Sequence, residues 1–515
     1  MIRRADATRL LNNFSTGLLT KIKELNGMDI KATPDCMDVY ADLDGSLHKR
    51  AGRTKLNSVQ TGAGSRDCHG LFDFEGTLIG SFGTTYYKME EMDGTWDSLQ
   101  TSMSDDTVEM EDYQGNLFIC NWAGDYIKTM QVNGTSMTNL NTTNVGGQGA
   151  HPKVYKDHLL VSGVPGYPYT FYYSEVSDID DFANGGTWPI NTHDGDELTG
   201  WGELEGRNYA FKRWSIHQTT YRGGSPYWSV QQMVRGKGTR SPLTIKNVTL
   251  KTGEEVLMFL GSDRKLYQFD GYNCNAVSSG FEENNEICPI ALDTLNQGGL
   301  KYAHAVIDSE NHWYILFVPN GGTSTITHAL AYNYYTGAVW PFSGQTLKSS
   351  VSAIDANGKR WTIAGDYNGY AHRWNYGTSD DGTTISSYHT TPRMFIDHPA
   401  TLKEEFEVLV SLKAISDDTV NFQYRLDYND TWSTATVVPL GNPSGEYYLG
   451  TTRRGLVLGT GTLGPAKTII ETPIGLDTQS NYIQFKISDS LTTEPWTLYA
   501  YELKGDRVAL VKGDS

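Results

Sequence analysis

The side chains able to do chemistry in this chain are abundant but poorly arranged for it. Two tracts, "EEMDGTWDSLQTSMSDDTVEMED" (90–112) and "SEVSDIDDFANGGTWPINTHDGDELTGWGELE" (174–205), each hold nine carboxylates and neither Lys nor Arg. Within them "SDIDD" and "DGDE" cluster oxygens as a calcium loop would, yet neither shows the alternating Asp-x-Asp-x-Asp-Gly spacing with a distal Glu that closes a cage. Solvated loops are the simpler reading, since charge blocks usually face water. The 12 histidines are scattered, with His304, His312 and His328 expected in different strands of one repeat, so metal-type spacing is missing. Cys36, Cys68, Cys120, Cys274 and Cys288 are odd in number, far apart and without Cys-x-x-Cys, which predicts reduced, buried, inert thiols. No Gly-x-Ser-x-Gly elbow, Walker loop or dinucleotide fingerprint occurs, and glycine clusters such as "NVGGQGA" (144–150) suit turns. The expectation is no catalytic residue, no metal and no cofactor.

Two segments bear on glycoside hydrolysis. "DSENHWYIL" (308–316) and "SAIDANGKRWTI" (352–363) resemble the Asp-box of sialidases and related glycosidases, in which an Asp turn precedes a Trp, although the spacing here is irregular. Such a box braces a turn between two strands and carries no chemistry itself. A sialidase-like site would also need three arginines for a carboxylate, a Tyr-Glu nucleophile pair and an acid, and arginine is sparse in this part of the chain. A glycosidase is therefore the last of the readings kept open.

The elements that would position any site come from self-similarity. A hairpin of apolar-x-apolar, turn, apolar-x-apolar recurs at 71–82, 111–122, 153–164, 201–214, 248–261, 305–318 and 352–365. Its turn residues Gly76, Gly115, Asp157, Gly206, Gly253, Glu310 and Gly358 stand 39, 42, 49, 47, 57 and 48 residues apart, the spacing of a four-stranded propeller blade. A third aromatic strand follows each hairpin, and several repeats add a fourth element carrying Trp96, Trp188, Trp228 or Trp340. The seventh repeat stops after three strands. A radial sheet must close or leave an exposed edge, so residues 38–58, with the hairpin "DVYADLDGSLHKRAG" (38–52) and its Asp44-Gly45 turn, are expected to complete the last blade. The alternative is an independent hairpin on an N-terminal arm.

Beyond residue 385 the repeat ends. Period-two segments at 406–415, 419–428, 433–440, 454–463, 481–490 and 496–506 predict an antiparallel β-sandwich. The expected protein is all-β: an extended arm over 1–37, which could instead hold a short amphipathic helix, a propeller of about seven blades over 38–385, and a sandwich over 386–515. Its 515 residues, with 31 Tyr, 12 Trp and 54 Gly, suit that class. No run approaches the ~20 apolar residues of a membrane helix, and the start lacks the pattern of a signal peptide, so synthesis in a cytosol without membrane insertion is expected. The net charge of −18 is uneven: residues 1–60 carry ten basic against seven acidic side chains, and residues 61–300 carry 16 against 31. Such acid repels phosphate and argues against sequence-specific nucleic-acid binding.

"NNFSTGLLT" (12–20) followed by "TPDCMDVYADLDGSLHKRAG" (33–52) resembles the start of virion proteins of short-tailed bacteriophages, with a Phe-x-x-Gly arm and then an Asp-Gly-x-Leu-x-x-Arg-Pro-Gly hairpin. Asp44, Gly45, Leu47, Arg50 and Gly52 match, and Ala51 stands where Pro is usual. "SNYIQFKISDSLTTEPWTLYAYEL" (480–503) is similar to the last strands of such proteins. The resemblance implies a tail nozzle, tail tubular protein or packaged-DNA stabilising plug. It would be a homohexameric ring under the head-to-tail adaptor, touching tail fibres or spikes, retaining the genome and passing double-stranded DNA without reading its sequence. The location implied is the virion tail, after synthesis in the host cytoplasm. Against it stand a carbohydrate- or receptor-binding propeller, favoured by Trp and Tyr content, and the glycosidase above.

Overall fold

The computed structural model describes residues 7–20, 28–62, 64–140, 145–176, 178–179, 181–283, 290–395, 403–413, 418–440, 469–490 and 495–507. Seven four-stranded antiparallel sheets follow one another in the chain: blade 1 (68–100), blade 2 (108–139), blade 3 (151–189), blade 4 (198–235), blade 5 (246–276), blade 6 (304–342) and blade 7 (347–374). All seven repeats read from the sequence are blades of a β-propeller. The first strand of each lies innermost and the fourth outermost. The second strand is sandwiched between neighbouring blades, which explains near-continuous apolar runs such as Trp313–Val318, buried throughout, and Asn116–Asn121. Packing passes from blade to blade around the ring. Phe118, Cys120 and Ile127 of blade 2 meet Leu159 and Val161 of blade 3, and Ala353 and Ile363 of blade 7 meet Leu71 and Phe82 of blade 1.

Ring closure differs in detail from the expectation. Arg53–Lys55 supplies the fourth strand of blade 7, pairing Trp374 with Arg53, Arg373 with Thr54 and His372 with Lys55. The hairpin before it does not belong to the propeller. Val39–Ala41 and Leu47–Lys49 pair with each other and then, through Leu47 and His48, with Leu498 and Thr497 near the end of the chain. Its turn is also longer than two residues: Asp42 through Ser46 form the loop, and only Gly45 has positive φ, at 86°. Leu43, in that loop, is exposed, while Val39, Ala41 and Leu47 are buried.

The C-terminal domain is a two-sheet sandwich, and the N-terminal residues complete both sheets. In one, Lys403–Lys413 lies between Ile469–Ser480 and Thr497–Arg507, and the latter pairs with the hairpin and with Ala7–Leu11. In the other, Ser387–Thr390 lies between Ile483–Asp489 and Asp35–Met37. The expected arm is thus built in: Leu11, Phe14 and Leu18 are buried, with Phe14 edge-on to His389 and Tyr501. Lys49 binds Asp489 at 2.5 Å, both side chains buried, fastening the hairpin across the sandwich. The expected strand at 454–463 lies outside the described residues. Ile469–Ser480, which has no clean alternation, is a strand the sequence reading missed.

Candidate functional site

The residues of the Asp-Gly-x-Leu-x-x-Arg-x-Gly motif meet at the junction of propeller and sandwich. Leu47 is fully buried in the shared core and Gly45 takes the left-handed turn conformation. Arg50 is the centre. Its Nε donates to Asp38 Oδ1 at 2.5 Å, and its two terminal nitrogens bind both oxygens of Asp380 at 2.9 and 2.6 Å. Asp38 also accepts from the backbone N–H and hydroxyl of Ser343, which follows the last strand of blade 6. Burial opposes the Arg50 charge, but the two carboxylates outweigh it and hold the guanidinium above its ordinary range. One side chain thereby ties together the hairpin, blade 6 and the link from blade 7 to the sandwich.

Gly52 is required by close approach. A Cβ there would stand 1.9 Å from the Ser379 carbonyl oxygen and 2.4 Å from its carbon. Because the obstacle is backbone, Gly52→Ala is expected to cost at least the ~1–3 kcal/mol of an overpacked core. A urea midpoint unchanged from that of the parent protein would show that the link moves aside freely.

A second concentration of polar groups lies at the propeller centre. Innermost strands of all seven blades enclose a cavity of about 730 Å³. Both acidic tracts end in it. Glu109 and Glu111 come from the first, Glu203 and Glu205 from the second, while Asp93, Asp97, Asp105 and Asp178 are exposed elsewhere. Glu111 and Glu203 share Lys153, at 2.9 and 3.2 Å. Glu109 accepts from the indole N–H of Trp122 at 2.9 Å and contacts His151 Nδ1 at 2.6 Å. Spread along ~17 Å of strand at ~3.3 Å per residue, the space open to the centres of water molecules has a mean bore of roughly 7 Å, and a whole duplex is wider than its ~12 Å major groove alone. Double-stranded DNA does not fit through one propeller.

The remaining candidates resolve into structural roles. In "DGDE", Asp194 binds Lys212 at 2.7 Å, Glu197 pairs with Arg213 and Asp196 accepts the Trp214 N–H, so this loop's carboxylates are engaged by the protein. "SDIDD" lies partly outside the described residues, and its Asp181 accepts the backbone of Ala183 and Asn184. The two Asp-box-like turns brace strands: Asp355 accepts from the N–H of Asn357 and Lys359 and from the Trp361 indole, and Asp308 from Glu310 and Asn311. His304, His312 and His328 do not converge, and His312 sits in a turn rather than a strand. Cys36, Cys68, Cys120 and Cys274 are buried, and burial pushes the Cys68 and Cys274 thiols up to about 12; Cys288 lies outside the described residues. Sequence reasoning missed one grouping: Asp42, Asp44 and His48 bring ligand atoms within 4.8 Å of one another on the hairpin loop. Ser46 already holds Asp44, through both its N–H and its hydroxyl, and lowers its pKa.

Among the described residues no helix is long and apolar enough to cross a membrane. No family profile and no curated protein matches the sequence. Solved structures that match part of this chain include the WD40 domain of Neurospora crassa Pan2, at 9% identity and TM-score 0.39, covering 63% of this chain and 95% of that one. A catalytically inactive virginiamycin B lyase from Staphylococcus aureus with quinupristin has 7% identity and TM-score 0.41, covering 61% and 97%. An exo-beta-1,3-galactanase from Phanerochaete chrysosporium with galactose has 9% identity and TM-score 0.25, covering 88% and 100%. Strand order and pairing establish this chain as an all-β propeller with a β-sandwich, independently of those matches.

Proposed function

We propose that this chain is a structural subunit of a short-tailed phage tail, one of six copies in a nozzle ring below the head-to-tail adaptor that retains packaged DNA and guides its exit. One observation carries the reading. The motif that resembles the phage proteins is the set of residues that fastens propeller to sandwich: Leu47 in the shared core, Arg50 between two carboxylates, Gly52 against Ser379. Residues with that physical task belong to the junction of the two domains rather than to either domain alone. The narrow bore then puts any duplex path between copies, which requires a ring whose heterologous contacts close on themselves. Surface carboxylates facing such a path would limit sticking to a polyanion. The expected result is a virion reconstruction with six copies around the tail axis. This chain found off the axis, or in another symmetry, overturns the proposal.

A second reading, a carbohydrate- or receptor-binding propeller, is favoured by Tyr227 and Tyr272. They are exposed on neighbouring blades 4 and 5, each in the connection leading to the fourth strand, where a ring face can stack on a sugar. Glycan-array binding by the purified chain, abolished by replacing both tyrosines with Ala, distinguishes it from the ring subunit.

A further inference from the structure

Charge is segregated around the propeller. Residues 61–205, which span blades 1–3, carry 23 acidic and five basic side chains, whereas residues 206–265, in blades 4 and 5, carry three acidic and eleven basic. Strand order decides where these charges surface. The chain crosses each blade from the inside out, so the turn after the second strand and the link to the next blade lie at one end of the propeller, and the turns after the first and third strands lie at the other. At the link end of blades 4 and 5 the surface is basic and aromatic. Trp214 follows the second strand of blade 4 and is 44% exposed, and its carbonyl accepts the Gly236 N–H at 2.7 Å, which sets it beside Arg235. Arg240 and Lys301, from the next two links, line one recess of about 360 Å³; Glu197 lines it too but is held by Arg213. Arg264, after the second strand of blade 5, donates to the carbonyls of Asp293 and Leu295. Among the described residues none of Arg235, Arg240, Arg264 and Lys301 pairs with a carboxylate.

The opposite end of blades 1 and 2 has the reverse character. Glu75 in the turn after the first strand, Glu91 and Asp97 around the turn after the third, and Asp112 near the end of the first strand of blade 2 are exposed and pair with no basic side chain among the described residues. Lys88 is spent on Glu90 at 2.7 Å. Exposed Trp and unpaired Arg are the side chains that protein interfaces enrich, and an acidic surface of similar extent on the same chain is their complement. The two patches cannot meet within one chain. Seven blades turn by about 51° each, so blades 1–2 and blades 4–5 point about 150° apart, and the patches also lie at opposite ends of the propeller. A two-fold contact centred on either patch would set like charge on like. Only a head-to-tail contact, basic patch on acidic patch, satisfies both, and such contacts are the kind that generate rings.

We propose that copies of this chain dock head to tail through these patches, the basic face around Trp214 of one copy on the acidic face of blades 1 and 2 of the next. This contact rests on the ring-subunit reading above for its occupant, a second copy, and assigns the faces through which that ring closes. Trp214 supplies the apolar anchor, and Arg235, Arg240, Arg264 and Lys301 receive the neighbour's carboxylates.

Sedimentation of the full chain at ~10 mM and ~1 M salt, where charges are screened over ~30 and ~3 Å, tests this. The parent protein is expected to associate at low salt and disperse at high salt. Reversing either patch, by Arg235→Glu with Lys301→Glu or by Glu91→Lys with Asp97→Lys, should weaken low-salt association by about ten-fold or more, since like charges then face each other. All four positions are exposed, so the melting temperature should not move. An equimolar mixture of the two variants should associate again, because each supplies the charge that the other needs. Trp214→Ala should weaken association by about ten-fold or more and leave its salt dependence unchanged. A parent protein that stays monomeric at low salt, variants that associate as it does, or a mixture that stays dispersed overturns the proposal. So does binding of a short DNA duplex by the monomer that the first double variant abolishes, for then the basic patch serves a polyanion. Association that survives both reversals overturns this contact and leaves the ring reading standing on another face. Association that follows the charge swap, beside virions of another symmetry, keeps the contact and removes the six-copy reading alone.

Discussion

Replacing Arg50 by Met is expected to destabilise the protein by about 3–5 kcal/mol, the cost of leaving buried carboxylates without their counter-charge. The Asp38 side chain is fully buried and that of Asp380 is 9% exposed, so neither recovers much hydration when the guanidinium is removed. Met keeps the length and apolar stem of Arg, which confines the effect to charge and hydrogen bonds. Arg50→Lys should recover little, because one ammonium cannot reproduce a fork that serves Asp38 from Nε and Asp380 from both terminal nitrogens. Adding Asp380→Asn to Arg50→Met should restore part of the loss by removing one unpaired charge. Urea denaturation followed by tryptophan fluorescence reads all of this, and propeller and sandwich are expected to unfold in separate steps once the fastening is gone. A midpoint shift worth less than about 1 kcal/mol, the value of an exposed pair, would show that Arg50 does not hold the domains together.

Acid should loosen both domains together. Burial pushes His304 in the propeller and His389 in the sandwich down to about 3. Unfolded histidine titrates near 6.5. Below that pH the unfolded chain takes up protons that the folded chain refuses, so stability is full above pH 6.5 and falls as the pH drops toward 3. At pH 5 each site contributes a loss of about 2 kcal/mol, about 4 together. His48, His69, His217 and His328 are displaced in the same direction, with burial the leading cause in each, so they steepen the slope. Denaturation at pH 7 and pH 5 measures the total. His389→Phe, which keeps a ring against Phe14, should flatten the slope by about one proton's worth. A pH dependence equal to that of the parent protein in this variant would mean that His389 is already charged in the fold.

The blades were legible because a propeller is local. Each sheet joins strands that follow one another, so the alternation, the aromatic third strand and the turn every 39 to 57 residues map onto Cys68–Phe74, Thr77–Phe82, Thr85–Glu90 and their six equivalents. The Asp-box-like turns were also read for what they are, since the bonds of Asp355 to Asn357, Lys359 and Trp361 span six residues at most. The fate of the opening hairpin was not legible. Its pattern says that Val39 and Leu47 seek a buried face, but a propeller edge and a sandwich edge satisfy that equally.

Residue types and spacing alone determined the all-β class, the seven repeats, the change of domain near residue 385 and the scarcity of metal-ligand or nucleophile motifs, because each depends on chain neighbours. Only the tertiary structure decided that Ala7–Leu11 pairs with residues 501–505, that Arg53–Lys55 rather than the hairpin closes blade 7, and that Arg50 reaches Asp380 across 330 residues. It also decided that residues drawn from all seven blades, the ends of both acidic tracts among them, line one cavity. The reason is that loop-closure entropy grows only logarithmically with separation, so distant partners cost little more than near ones. What selects them is which edge remains open and which polar atom remains unpaired once the ring has formed, and neither quantity exists before the chain folds.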